Sequence, residues 1–449
     1  MRRGEGQGGG GYFCWPLDGC CIINSKMFID KIKQTLGSKN DPKEQTIVAL
    51  DIGTEFVKAL VARISGDNLE IIGVGRTRQD VSDMHGGAIA DIGGVVRHCE
   101  EALAQAEEQA GVQAKRAIIG IAGELVKGTT STIRYKRPQP DKALDVNEME
   151  FIIEKVQERA QTRVQKQVAL ETGNAEVEVK LVNSAIVSIH IDGYRISNPI
   201  GFQGKDIAIQ IYTAFAPMVH IGALERTAGE LDLDLIAVAA EPFAVSRSVL
   251  GTDASSTFTA ILADVGGGTT DIAVVNDGGV EGTKMFGIGG RSFTRTIASD
   301  MDLSYGDAEK LKVNLDQPHL KPSVAKAAHA AIEKTLDVWL GGVELALSEF
   351  DSVDHLPSRI LLCGGGSSLR PLVEALETRD WYKDLPFTKR PTIQHIQPEE
   401  VSGISDLTGK VTDHTFITAM GLLRVGYDTI VGSSETDTIK DKLGRILRV

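Results

Sequence analysis

Two segments of one design constrain this chain more than anything else in it: ALDIGT at 49–54 and LADVGGGTTD at 262–271. Each is an apolar run that ends in an Asp and breaks into a glycine turn. The apolar run has the character of a buried strand. Gly and Thr after it allow a tight β-hairpin whose backbone N–H groups can be brought against phosphate oxygens, and an Asp at the strand end can hold the water shell of a Mg2+ ion. Either hairpin alone is as readily a structural turn. Two of them, one opening each half of the chain, call for a duplicated fold with a central cleft in which a polyphosphate is clamped from both sides.

A third segment, ILLCGGGSSL at 360–369, is again a buried strand breaking into glycines, before a helix expected near Pro371. Glycines there let the backbone lie against a planar base or ribose, with a helix N-terminus nearby. By itself the segment is equally a plain strand-to-helix turn.

The rest of the chain supports two α/β lobes. Strands are expected at 47–51, at LEIIGVG (69–75) and at 116–122, with a helix near 95–110 between the last two. Such alternation argues for a mixed sheet. From about 127 to 212 the character changes to a charged helix (147–168) and period-2 strands such as AIVSIHI at 185–191, which reads as an inserted small α+β subdomain. A second α/β lobe follows from about 259. With 449 residues, 42% of them hydrophobic, the chain has material for more than one core.

A net charge of −13 disfavours a general nucleic-acid role. No apolar run reaches the roughly 18 to 20 residues of a membrane span, and the glycine- and cysteine-rich opening, 1–26, has no apolar signal core and reads as disordered. A cytoplasmic protein is expected. The cysteines are Cys14, Cys20 and Cys21 in that leader, and Cys99 and Cys363. No second Cys/His cluster stands at ligand spacing, so no cysteine metal site is expected, and Cys99 and Cys363 read as core residues. In MFIDKIKQTL (27–36), Phe28, Ile29, Ile32 and Leu36 share a helical face.

In order and spacing the three glycine segments resemble the phosphate-1, phosphate-2 and adenosine motifs of the actin/Hsp70/sugar-kinase superfamily, over roughly 47 to 425. The resemblance implies a two-lobed actin-like (ribonuclease H-like) ATPase fold that binds ATP with Mg2+. By it Asp51, Gly53 and Thr54 serve phosphate and metal from the first lobe. Asp264, Gly266, Gly267, Gly268 and Thr269 do so from the second, with Asp51 and Asp264 reaching the metal through water. Gly364, Gly365 and Gly366 line the adenosine. IGGRSFT at 288–294, with Gly289, resembles the second connecting segment, and AEKLK at 308–312 resembles the helix whose Glu309 and Lys312 face the nucleoside. A Glu/Lys pair at that spacing is also an ordinary solvated ion pair. AEPFAVSR at 240–247 resembles a helix start at which the Glu organises Mg2+ and the attacking water. Glu241 is therefore the catalytic candidate for a slow ATPase; equally, it is a helix-start acid favourable to the dipole.

Within the superfamily the insertion, with its AsnProIleGly turn at 198–201, resembles the relocated subdomain of FtsA-family proteins. That resemblance implies a cell-division role, filaments of the chain with itself, docking of the FtsZ C-terminal tail on about 290–355, and contacts with other divisome proteins through the insertion. It also implies peripheral attachment to the inner face of the cell membrane at the division site. The expected organisation is a leader (1–46), first lobe (47–126 and 213–258), insertion (127–212), second lobe (259–425), a linker (426–437) and a membrane-targeting helix (438–449). On a helix Ile439, Leu443, Ile446 and Leu447 fall on one face, with Lys440, Lys442, Arg445 and Arg448 around it. A helix docked on the protein's own core is the alternative for that tail. Pilus-assembly proteins of the PilM type share the insertion, and are the alternative within the superfamily. A sugar kinase would need a further acceptor-binding Asp, and an Hsp70-type chaperone a peptide-binding domain after the lobes.

Overall fold

The structure, a computed structural model, describes residues 46–434 apart from 124, 251–256, 316, 318, 319 and 351–352. The 28–36 segment, the leader cysteines and the 438–449 tail lie outside the described residues.

The first lobe is built on a six-stranded sheet. A meander of β1 (Thr46–Ile52), β2 (Phe56–Ser65) and β3 (Asn68–Arg78) is antiparallel throughout. A small ladder, β4 (Met84–His85) with β5 (Ala88–Ile89), leads into helix α1 (Ile92–Ala110), capped by the Asp91 carboxylate on Gly93 N–H and closed by left-handed Gly111. Strand β6 (Arg116–Ile121) then pairs parallel with β1.

The insertion follows: β7 (Lys127–Lys136), α2 (Val146–Thr172), β8 (Val179–Ile191), β9 (Tyr194–Arg195) and β10 (Asp206–Pro217). On α2 the residues Met149, Ile152, Ile153 and Val156 recur at helical spacing and are buried against Ile189, Ile207, Ile209 and Ile211 of the sheet. Strand β10 carries on past 212, where the insertion was expected to end, because Thr213, Ala214, Phe215 and Ala216 are buried and stay paired with β8 across a register shift between Ala214 and Phe215. Helix α3 (Met218–Glu230), strand β11 (Asp234–Ala240) and helix α4 (Glu241–Leu250) complete the first lobe, with β11 parallel to β6.

The second lobe repeats the plan. Strands β12 (Ala260–Val265), β13 (Thr270–Asn276) and β14 (Gly279–Phe286) form a second antiparallel meander. Helices α5 (Gly290–Met301), α6 (Tyr305–Val313) and α7 (Pro322–Ser348) follow. Then β15 (Arg359–Cys363) pairs parallel with β12, helix α8 (Arg370–Thr378) intervenes, and β16 (Thr392–His395) pairs parallel with β15. Short β17 (Ile404–Asp406) returns to the edge of the first sheet beside β3. The strand order β3-β2-β1-β6-β11 of the first lobe thus matches β14-β13-β12-β15-β16 of the second. The insertion's strands extend the second sheet through a short β7–β14 ladder at Gly128 and Thr129. Gly128 is required there, since an added Cβ would stand 2.0 Å from Thr283 Oγ1.

Helix α9 (Ile417–Ser434) ends the described chain. It contradicts the linker expected from 426. Val425 and Tyr427 are buried, Ile430 and Val431 pack on the same core, and the Tyr427 hydroxyl donates to the Gly66 carbonyl at 3.1 Å. Their apolar spacing carries the helical face beyond the point where composition turns polar.

Candidate functional site

The matching strand orders place the two Asp-Gly hairpins opposite each other, each closed by its own backbone bond: Gly53 N–H to Phe56 O at 3.1 Å and Gly266 N–H to Thr269 O at 2.9 Å. A cleft of about 580 Å³ opens between them. Asp51, Gly53, Thr54, Asp264, Gly266, Gly267, Thr269, Glu309, Lys312, Gly364, Gly365, Gly366 and Glu241 all line it. Two of the residues expected at the ligand do not: Gly268 and Gly289 are absent from the lining. They are spacers instead. A Cβ on Gly268 would lie 2.7 Å from Thr54 Oγ1, and one on Gly289 would lie 2.7 Å from the Gly266 carbonyl, so the hairpins pack closely because both residues lack side chains.

Buried negative charge dominates the far end of the strands. Asp51, Glu241, Asp264 and Asp271 are all buried, and Lys58 answers them with a 2.7 Å ion pair to Asp51. Burial weakens the Lys58 ammonium, but attraction from Asp51 and then Asp264 overcomes this and its pKa is raised. Burial foremost, then repulsion from Asp51, Asp271 and Asp264, pushes Glu241 well above the usual carboxylate range, with Lys58 in opposition. Burial and repulsion from Asp51 also raise Asp264, against a hydrogen bond from the Thr418 hydroxyl. Asp271 rises to about 8 through burial and the charge of Asp264, although the Thr269 hydroxyl donates to it at 3.1 Å. Together these groups have more carboxylate than the protein neutralises, which is the environment a divalent cation relieves.

These carboxylates do not converge as direct ligands. Among the described residues, the one trio with ligand atoms all within 4.8 Å of one another is Asp80, Asp83 and His98, which is outside the cleft lining. There His98 Nδ1 stands 3.0 Å from Asp83 Oδ2 and 3.1 Å from Gln79 Oε1.

On α6, Glu309 and Lys312 form a 2.8 Å ion pair with both side chains largely buried. Lys312 Nζ also donates to the Gly290 carbonyl at 2.9 Å and to Thr294 Oγ1 at 2.8 Å, which fixes α6 against the start of α5. Gly364 is left-handed at φ 79°, and a Cβ there would fall 2.0 Å from Asp264 Oδ1. The third glycine segment thereby buttresses the second Asp.

Several lining residues were not among those expected at the site: Glu55, Lys58, Arg78, Thr415 and Thr418, and Arg291 although its segment was. Lys58 had a signal available, since it is the direct cross-strand partner of Asp51 once the β1–β2 turn is drawn. Arg291 and Thr418 had none, because their partners Glu55 and Asp264 are far away in the sequence.

The model of the family described as cell division protein FtsA matches residues 261–421, the part of the chain that contains the second hairpin, helix α6 and the third glycine segment. The cell division protein FtsA of Enterococcus faecalis is 25% identical over 349 residues, covering 73% of this chain and 75% of that protein. That of Pseudomonas aeruginosa is 25% identical over 405 residues, covering 85% and 89%. The chain is similar to these FtsA proteins over most of its length. Its fold is actin-like: the solved PilM-PilN type IV pilus biogenesis complex superposes with a TM-score of 0.61 at 16% identity, over 86% of this chain and 99% of that one. That likeness is one of fold, whereas the FtsA relatives are cell-division proteins and bear on role.

Proposed function

We propose that the cleft binds ATP with Mg2+, and that the chain acts as a membrane-linked scaffold of the division machinery, polymerising with itself and tethering the FtsZ ring through the FtsZ C-terminal tail. The observation that carries the nucleotide reading is the meeting of two glycine hairpins over an uncompensated set of buried carboxylates. In this reading the backbone N–H groups of Thr54, Gly267 and Thr269, in the turns that the Gly53 and Gly266 N–H bonds close, face the phosphates, with Lys58 beside them. Glu309 and Lys312 border the nucleoside, and Gly364 to Gly366 let the backbone lie against it. Asp51 and Asp264 hold the cation through its water shell, which suits carboxylates that do not converge as direct ligands. Bound there, Mg2+ supplies the positive charge that this acidic pocket and a polyphosphate both lack. Glu241, at the start of α4 and beside the same carboxylates, would orient the attacking water in slow hydrolysis.

Adding ATP with Mg2+ should raise the thermal unfolding temperature, because a ligand that binds only the folded state at a hundredfold its Kd stabilises it by about 2.7 kcal/mol. Asp264→Ala should lose that shift. A wild-type shift in this variant would remove the second hairpin from the site.

Attachment to anionic membrane, at the inner face of the cell membrane, is assigned to the 438–449 tail, and contacts with other divisome proteins to the insertion. The docking region for the FtsZ tail is about 290–355.

A further inference from the structure

Arg291 is bonded to both phosphate hairpins at once. Its backbone N–H donates to the Gly267 carbonyl at 2.8 Å within the second lobe. Its guanidinium crosses to the first lobe, where Nε donates to Glu55 Oε2 at 2.8 Å and Nη1 to the Val81 carbonyl at 3.1 Å. Glu55 follows Thr54 in the first hairpin, and its other oxygen, Oε1, accepts from Arg78 Nε at 2.8 Å in its own lobe. Arg291 is only 4% exposed. The backbones close up at the same point, for a Cβ on Gly267 would stand 2.9 Å from Glu55 Cβ.

We propose that Glu55 and Arg291 form a clasp between the lobes, a positioning pair that sets how readily the two hairpins part and hence how fast a nucleoside polyphosphate enters and leaves. Separating the hairpins must break a charge-assisted bond in a water-poor setting. Deleting Glu55 leaves the Arg291 charge buried without its carboxylate in the closed form, and deleting Arg291 removes the bond across the lobes while Glu55 keeps Arg78; either change favours the open form. Arg78 holds the carboxylate from within the first lobe and so orients the clasp without crossing it. The exchange of nucleotide rests on the function proposed above; the clasp itself does not.

Hydrogen–deuterium exchange on the full-length, nucleotide-free chain tests it, following amides of 53–56 and 266–269 together with those of β8 and β10 as a monitor of folding. Glu55→Gln and Arg291→Gln should each speed exchange in both hairpins by about tenfold or more, with β8 and β10 unchanged. The double variant should add nothing to the larger single effect, since one bond is lost in all three. Arg291→Lys should restore part of the protection, and Arg78→Gln should loosen the first hairpin alone. The dissociation rate of a fluorescent ATP analogue should rise in Glu55→Gln and Arg291→Gln by a similar factor. Unchanged exchange, exchange confined to the mutated residue's own hairpin, or additive effects in the double variant would overturn the clasp. If Arg291→Gln loosens β8 and β10 as well, Arg291→Lys decides: protection no better than in Arg291→Gln refutes the proposal. A wild-type chain that binds no ATP analogue would end the nucleotide reading, while the exchange data still decide the clasp.

Discussion

Asp271 shows how a site can be read from one side chain. It follows the glycines and threonines of the second hairpin, where it is buried, and burial with the neighbouring Asp264 charge pushes it up to about 8. In the unfolded chain the same carboxyl titrates near about 4. Between those values the folded state holds a proton that the unfolded state has released, so this group's contribution to stability is largest below the lower value and falls as the pH climbs to the upper one. Asp271→Asn keeps the shape and has no proton to lose. Denaturant midpoints at about pH 5 and about pH 8, without divalent cations, should therefore drop further in the wild type than in the variant. Equal drops would mean that Asp271 is already ionised in the folded state. A nearby positive charge would lower the raised pKa of Asp271, so cation binding should release protons.

Helix α9 carries two lessons at the scale of an element. Its first turn brings Thr418 to Asp264, and its later turns, through Val425 and Tyr427 to Ile430 and Val431, stay on the core. A flexible tether would then have little length between Ser434 and the amphipathic residues that begin at Ile439. The tail proposal is a helix whose apolar face, Ile439, Leu443, Ile446 and Leu447, enters the acyl boundary while Lys440, Lys442, Arg445 and Arg448 meet acidic headgroups, each worth roughly 1 kcal/mol. So short a helix binds weakly alone, and polymer multivalency or the Phe28 to Leu36 face would strengthen it. In sedimentation with anionic liposomes, wild type should pellet, and both Leu443→Glu and a chain truncated after Ser434 should stay in solution. If all three pellet alike, the 28–36 segment becomes the anchor to test. Among the described residues no helix is long and apolar enough to cross a membrane.

For the whole molecule the governing fact is the repeated strand order, which makes the cleft a consequence of duplication: two meanders bring two equivalent hairpins face to face. The insertion, tied to the second sheet through β7 and β14, is available for contacts of other kinds. The solved PilM-PilN complex has a similar fold, so fold alone does not choose between a division partner and a pilus partner; the similarity to FtsA proteins favours the first. A tail-deleted chain used as bait in a lysate should retain FtsZ. Retention of a pilus component with no FtsZ would refute the tethering role.

Much of this was legible in the sequence because it is local. An apolar run, an Asp and a glycine turn are consecutive, and so are the strand and helix periods of the two lobes and of the insertion. The three glycine segments and Glu241 could therefore be named, and the fold placed them around one cleft. What only the tertiary structure decided depends on residues that meet after the chain has folded back. Lys58 finds Asp51 through strand register, Thr418 reaches Asp264 from the last helix, and Arg291 spans the lobes to Glu55. Gly268 and Gly289 turned out to be spacers because the question for a glycine is which backbone it lets approach, and that neighbour is set by packing between hairpins rather than by any pattern along the chain.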